Sequence, residues 1–93
     1  MEFEWNPSKD FENIKKHKVS FADATNAFCD PNGIDLEDAK HSSKEARHYW
    51  VGKIHDGRII TVRYTIRRDV IRIIGAAEWR EFRRIYNEKT KAE

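Results

Sequence analysis

Between Arg47 and Ile74 the chain carries three β-branched and aromatic runs, joined by turns too short for anything but hairpins. Arg47 to Ile54 alternates, sending Tyr49 and Val51 to one side and Trp50 and Ile54 to the other. His55-Asp56-Gly57 turns the chain back, Asp-Gly being a favoured hairpin pair. Ile59 to Ile66 forms the next strand, with Ile60, Val62, Tyr64 and Ile66 facing one way and Thr61, Arg63 and Thr65 the other. Arg67-Arg68-Asp69 makes a second tight turn, Val70 to Ile74 a third strand, and Gly75 reads as its end. An antiparallel meander is therefore expected at the centre of the fold.

The flanks read as helix. Phe3-Glu4-Trp5 is a short first strand, after which Asn6 suits a helix cap and Pro7 the first helical position. Phe11 and Ile14 share one face of that helix, and Lys15, Lys16 and Lys18 cluster near its end, where cations suit the helix dipole. Ser20 opens a second helix, with Asp23 completing an approximate capping box and Phe21, Ala24, Ala27 and Phe28 as its buried stripe. Asp30-Pro31-Asn32-Gly33 is a turn, and Ile34 to Lys44 reads as a short strand and a loop. Glu78 to about Lys89 is a final helix with Trp79, Phe82 and Tyr86 in its stripe, followed by a frayed polar tail at Thr90 to Glu93. The expected fold is α+β: one domain over residues 1–93, an antiparallel sheet with two N-terminal helices and one C-terminal helix. Phe21, Phe28, Ile60, Val62, Ile74 and Phe82 are its expected core.

Charge is distributed unevenly. Residues 1–57 hold 8 Lys+Arg against 11 Asp+Glu, a net −3, while residues 58–93 hold 10 against 5, a net +5. Arg58, Arg63, Arg67, Arg68, Arg72, Arg80, Arg83 and Arg84 all fall in the second part. Arginine offers a planar fork of donors matched to phosphate and stacks on bases, which points to nucleic acid or an acidic partner. The bland alternative is a solvated helix face with charged strand edges. Cys29 is the only cysteine, which excludes an internal disulfide framework; beside Phe28 it is expected as a small buried hydrophobe. The acidic start Met1-Glu2-Phe3-Glu4 is unlike a signal peptide, and no apolar stretch approaches the ~20 residues that span a bilayer. A soluble, cytoplasmic protein is expected.

Several stretches carry a family resemblance in order and spacing. They are Phe3-Glu4-Trp5-Asn6-Pro7-Ser8-Lys9, the run Asn13 to Phe21 with its Lys16-His17 pair and Val19-Ser20-Phe21, then Asp30-Pro31. Asp38, His41-Ser42, Glu45, Arg47 and Gly52 follow, then Tyr64-Thr65-Ile66-Arg67, Arg72-Ile73-Ile74-Gly75-Ala76, Trp79-Arg80 and Ile85-Tyr86. Together they resemble the BrnT toxins from about residue 3 to 87. Lys18 stands where a glycine is common in that family, and Ala77 where many members carry an arginine. The resemblance implies a RelE-like fold and an RNA-cleaving activity that arrests translation. It also implies a ribbon-helix-helix antitoxin, BrnA, which with the toxin represses their shared operon; operator DNA is then met only through that complex.

Cleavage of RNA through its 2′-hydroxyl needs a proton acceptor, a proton donor and cations around the phosphorus. Arg63 and Arg67, on one side of their strand, with Arg68 at the turn, are the first candidates for phosphate clamps, against the alternative of a basic strand edge. Glu81 as base with Arg80 on phosphate is a further pairing, which a surface ion pair would equally explain. His17 is a proton donor or phosphate contact, or a contact to the helix terminus; Lys16 beside it and His41 in its polar loop are comparable candidates for binding RNA, as is Arg83. Trp79 is read as core first, with stacking on a base as the alternative. His48 and His55 read as structural. The four histidines lack zinc-ligand spacing, so neither metal nor cofactor is expected. Two other classes remain open: a non-catalytic module that holds RNA or protein on the same basic face, and a co-repressor acting only within a DNA-bound complex.

Overall fold

Two chain reversals build the centre of the sheet. Gly57, at φ 92°, closes the first, where the Gly57 and Ile54 N–H groups bond to the Ile54 and Arg58 carbonyls. Arg68 and Asp69, at φ 53° and 66°, close the second as a pair of left-handed residues. That turn geometry matches the twist of the strands it joins, although Asn-Gly is its usual filling.

The computed structural model describes residues 1–92; Glu93, the last residue of the expected frayed tail, lies outside the described residues. Strands β1 (Glu2–Glu4), β2 (Ile34–Glu37), β3 (Arg47–Lys53), β4 (Ile59–Arg67) and β5 (Val70–Ala77) form one sheet in the order β1-β5-β4-β3-β2. The helices are α1 (Pro7–His17), α2 (Phe21–Thr25) and α3 (Arg80–Ala92), with 3₁₀ turns at Asn26–Cys29 and Ala39–His41. The α+β class and the β3–β5 meander match expectation, and β2 extends the meander by pairing antiparallel with β3. A wholly antiparallel sheet does not: β1 lies parallel to β5, with Phe3 opposite Ile71. A parallel neighbour needs a long crossover, and everything from α1 to β4 supplies it.

Side-chain alternation divides the sheet into two faces. On the first, Phe3, Trp50, Ile60, Val62, Ile73 and Ala76 pack against Val19, Phe21, Ala24, Ala27 and Phe28. Phe28 stacks on Trp50 and meets Phe3 and Tyr64. The Trp50 indole donates to the Ala27 carbonyl at 2.7 Å, which brings that carbonyl directly over Gly52 and leaves no space there for a side chain. On the second face, α3 settles over Tyr49 through Trp79 and Phe82. Its Tyr86 hydroxyl donates to Asp30 at 2.5 Å.

The second face, which carries Thr61, Arg63 and Thr65, is therefore half-covered. Thr61 and Thr65 are buried, and only Arg63 and the strand ends remain accessible. Phe21, Ile60 and Val62 are core, but Phe82 is only half-buried and Ile73 takes the buried position expected of Ile74. The cause is an irregularity in β5: Arg63 pairs with Gly75 and Tyr64 with Ile73, so Ile74 is the extra residue of a bulge. The strand accordingly runs through Gly75 to Ala77, and α3 begins after Trp79 and continues past Thr90 to Ala92. Cys29 is exposed, because its 3₁₀ turn points Ala27 inward instead. No helix among the described residues is long and apolar enough to cross a membrane.

Candidate active site

Helix α1 is oriented by polar contacts. Asn6 caps it by accepting from the Ser8 and Lys9 N–H groups at 2.8 and 3.3 Å. At its other end Lys18 adopts the left-handed conformation, φ 60°, and its N–H closes on the Ile14 carbonyl at 3.0 Å. A lysine thus occupies the backbone shape that glycine adopts freely. Asn13, the buried residue of α1, donates to the Val19 and Ala76 carbonyls, both at 2.9 Å, and accepts from the Ala76 N–H at 3.2 Å. Asp10 accepts from the Phe21 N–H at 2.8 Å. These contacts turn Phe11 and Ile14 outward, where they are 64% and 42% exposed.

With the helix rolled this way, Lys9, Glu12, Lys16 and His17 overhang β5. The bulge at Ile74 and the bare Gly75 leave a floor beneath them, Arg63 enters beside it, and Trp79 forms a wall. The resulting cleft has a volume of about 170 Å³. Among the described residues, no ion pair includes Lys9, Glu12, Lys16, His17 or Arg63. Close cations left without carboxylate partners in a concave site hold a field suited to an anionic ligand.

A second cluster lies further along the same face. The buried Asp38 carboxylate accepts from His41 Nδ1 at 2.8 Å, and the Tyr49 hydroxyl faces it. Burial works against ionisation of Asp38, but the His41 bond and charge outweigh it and hold the carboxyl below its usual range. The loop is tied down where Ser42 Oγ donates to the Asp38 carbonyl at 2.6 Å and accepts from the Arg47 N–H at 2.9 Å. Burial and the Asp38 charge raise the Tyr49 phenol, while Arg63 opposes them, so Tyr49 is the link between the two clusters. His41, Arg47 and Arg67 line a hollow of about 230 Å³ with Glu45. Arg67 grips Glu45 through two bonds, at 3.1 and 2.7 Å, and this pairing holds the Glu45 carboxyl low.

The structure thus brings Lys16, His17, Arg63 and Trp79 into one cleft, and His41 and Arg67 into the neighbouring hollow. Trp79, read first as core, is half-buried: it packs on Tyr49 and Phe82 and also presents to the cleft. Arg68 stands exposed at the tip of the β4–β5 turn. Arg80 and Arg83 line a shallow groove on the outer side of α3, and Glu81 is exposed on that helix, so neither member of the Glu81–Arg80 pairing lines the cleft. Lys9 and Glu12 were missed. Their spacing with Lys16 marks one helical face, but it is legible only once Phe11 and Ile14 are known to point outward. Asp38 and Tyr49 carried no local signal beyond the motif and the strand pattern. His48 stacks on Tyr64, and His55 meets Asp23 at 3.2 Å. Among the described residues, no three His, Cys, Asp or Glu side chains converge to hold a metal ion.

The family described as "Ribonuclease toxin, BrnT, of type II toxin-antitoxin system" matches residues 5–81, from the end of the first strand into α3. This chain belongs to the BrnT family. Among curated proteins nothing matches it. Membership makes the chain a ribonuclease toxin of a type II toxin–antitoxin system, with RNA as substrate and an antitoxin as partner. Every residue of the cleft falls inside the matched span, while most of α3 falls outside it.

Proposed function

We propose that this BrnT-family toxin cleaves RNA in the cleft between α1 and β5, by a metal-independent attack of the 2′-hydroxyl on the adjacent phosphorus. What carries the reading is the meeting of Lys9, Lys16 and Arg63, which form no ion pair among the described residues, with an imidazole, a carboxylate and a half-buried indole. Arg63 and the lysines hold the scissile phosphate and stabilise the charge that builds on it. His17 and Glu12 move the protons, one from the 2′-oxygen and one to the departing 5′-oxygen. Acid–base groups of this kind each contribute roughly 10²–10⁴-fold. Trp79 stacks on a neighbouring base, and the strand continues over Tyr49 toward Arg47, Arg67 and His41. The products are a 2′,3′-cyclic phosphate and a 5′-hydroxyl. In this reading the fold is RelE-like and the toxin acts in the cytoplasm, arresting translation. A BrnA-like ribbon-helix-helix antitoxin neutralises it and represses the operon with it.

The test is RNA incubated with pure protein and excess chelator, with the new ends identified chemically. Cyclic phosphate ends, formed at a rate that falls steeply with salt as counterions compete for the phosphates, are expected. Strict dependence on added Mg²⁺, or ends bearing a 5′-phosphate, would overturn the mechanism. Retention of intact RNA would leave a binding module in its place.

A further inference from the structure

Helix α1 is built inside out. Its buried residue is an asparagine, and its two largest apolar side chains, Phe11 and Ile14, stand in solvent. The 3.6-residue period gathers Pro7, Phe11, Ile14 and Lys15 on that outer side and places neither Asp10 nor Glu12 among them, and Lys18 stands exposed at the helix end. Lys15 holds its ammonium 5.4 Å from the centre of the Phe11 ring. Nothing in the fold requires this arrangement, because Asn6, Asp10 and Asn13 fix the helix without it. Exposed apolar side chains rimmed by charge mark an interaction surface.

The rim decides between occupants. A second copy docked here by two-fold symmetry would bring two sets of Lys15 and Lys18 into one interface with no carboxylate on this face to meet them. An acidic segment carrying apolar side chains meets the rings and the ammonium groups together. The surface also continues into the cleft: a depression of about 330 Å³ lined by Glu12, Lys15 and Lys16 adjoins the outer face, and Glu12 and Lys16 belong to the cleft as well. We infer that the outer face of α1 is the anchor for the antitoxin, which seats apolar side chains on Phe11 and Ile14 and lays carboxylates across Lys15 and Lys16. An anchored segment of that kind closes the cleft to RNA without touching Arg63. The closure rests on the cleft being the site of RNA cleavage; the docking itself does not.

The experiment compares the parent with a Phe11→Ser/Ile14→Ser double variant, which opens no cavity because both side chains are already exposed. Melting, RNA cleavage, molar mass by light scattering, and binding of the separately purified antitoxin by calorimetry are measured on each. Expected are an unchanged melt, an unchanged cleavage rate, and an antitoxin dissociation constant raised at least tenfold, as for loss of central apolar anchors. Lys15→Glu should weaken the same binding and flatten its salt dependence. Unchanged antitoxin affinity in both variants would overturn the inference. So would a parent dimer that the double variant dissolves, or a loss of RNA cleavage in the variant, since these assign the face to a second copy or to RNA. Should the parent cleave no RNA, the reading of the cleft fails while calorimetry still decides the docking.

Discussion

Asn13→Ala tests whether one buried amide sets the geometry of the cleft. The side chain makes three hydrogen bonds, to two carbonyls and one N–H that have little access to water. At about 1 kcal/mol net for each bond, the loss is about 3 kcal/mol, and more where the orphaned backbone groups stay dry. For a domain this small, that lowers the melting temperature by roughly 12–24 °C, a large share of the ~5–15 kcal/mol margin typical of folded domains. Asn13→Asp sharpens the point. It keeps the acceptor for the Ala76 N–H but turns a carboxylate against two carbonyl oxygens, which raises the carboxyl's folded-state pKa above its unfolded value. The variant should therefore be worst at neutral pH and recover as pH falls through that raised pKa. Circular-dichroism melts at pH 7.5 and 5, with RNA cleavage measured well below each midpoint, check both variants. A fall of under about 3 °C for the alanine variant, taken with the same scaling, would show that α1 is held some other way. A full fall with undiminished cleavage would show that Asn13 does not position the site.

Three further outcomes are expected. Arg63→Ala should cut cleavage at least about 100-fold, as for loss of a preorganised electrostatic contact, while shifting stability by under about 0.5 kcal/mol; Arg67→Ala, whose guanidinium already holds Glu45, should cost less activity, and equal losses in paired melts and rate assays would contradict this division. Lys18→Gly relieves a left-handed lysine and should stabilise by about 1 kcal/mol, raising the melting temperature roughly 4–8 °C; a lower melt would mean that the bond from Lys18 Nζ to the Lys15 carbonyl outweighs the strain. Asp30 is held below the 3.8 of a free aspartate, with burial opposing and the Tyr86, Lys53 and Asn32 bonds prevailing. Its contribution is fully present above that value and lost as pH falls through the lower, folded-state pKa, so urea unfolding should show less acid sensitivity for Asp30→Asn than for the parent.

The meander was legible because its signals are local: period-two alternation and two chain reversals, each written in a few adjacent residues. Parallel pairing of β1 with β5 was not, since nothing in Phe3-Glu4-Trp5 names a partner near Ile71. The bulge at Ile74 was hidden for a related reason. An apolar run reads the same with or without one extra residue, yet the extra residue decides that Ile73 is buried and that Gly75 opens the cleft floor. For the candidate site, several lining residues were singled out in the sequence but their grouping was not legible. Lys16 and His17 stand on α1, Arg63 on β4 and Trp79 between β5 and α3, and α1 hides its own orientation by burying Asn13 while exposing Phe11. Sequence patterning assumes that apolar side chains face inward. Here hydrogen bonding won, since Asn13 had three backbone groups to satisfy and Phe11 had none.

The cleft joins residues that lie far apart in the sequence, which bears on the order in which it can form. Lys16, His17 and Asn13 emerge from the ribosome early, but Asn13 finds its β5 partner, Ala76, 63 positions later. Until then α1 has no strand to rest on, and contacts this distant in sequence are the slowest to close. A nascent chain halted before Trp79 carries the lysines without the indole wall, and one halted before Arg63 lacks its guanidinium as well. The cleft proposed for RNA therefore assembles only once β5 and Trp79 have been made and have come into register with α1.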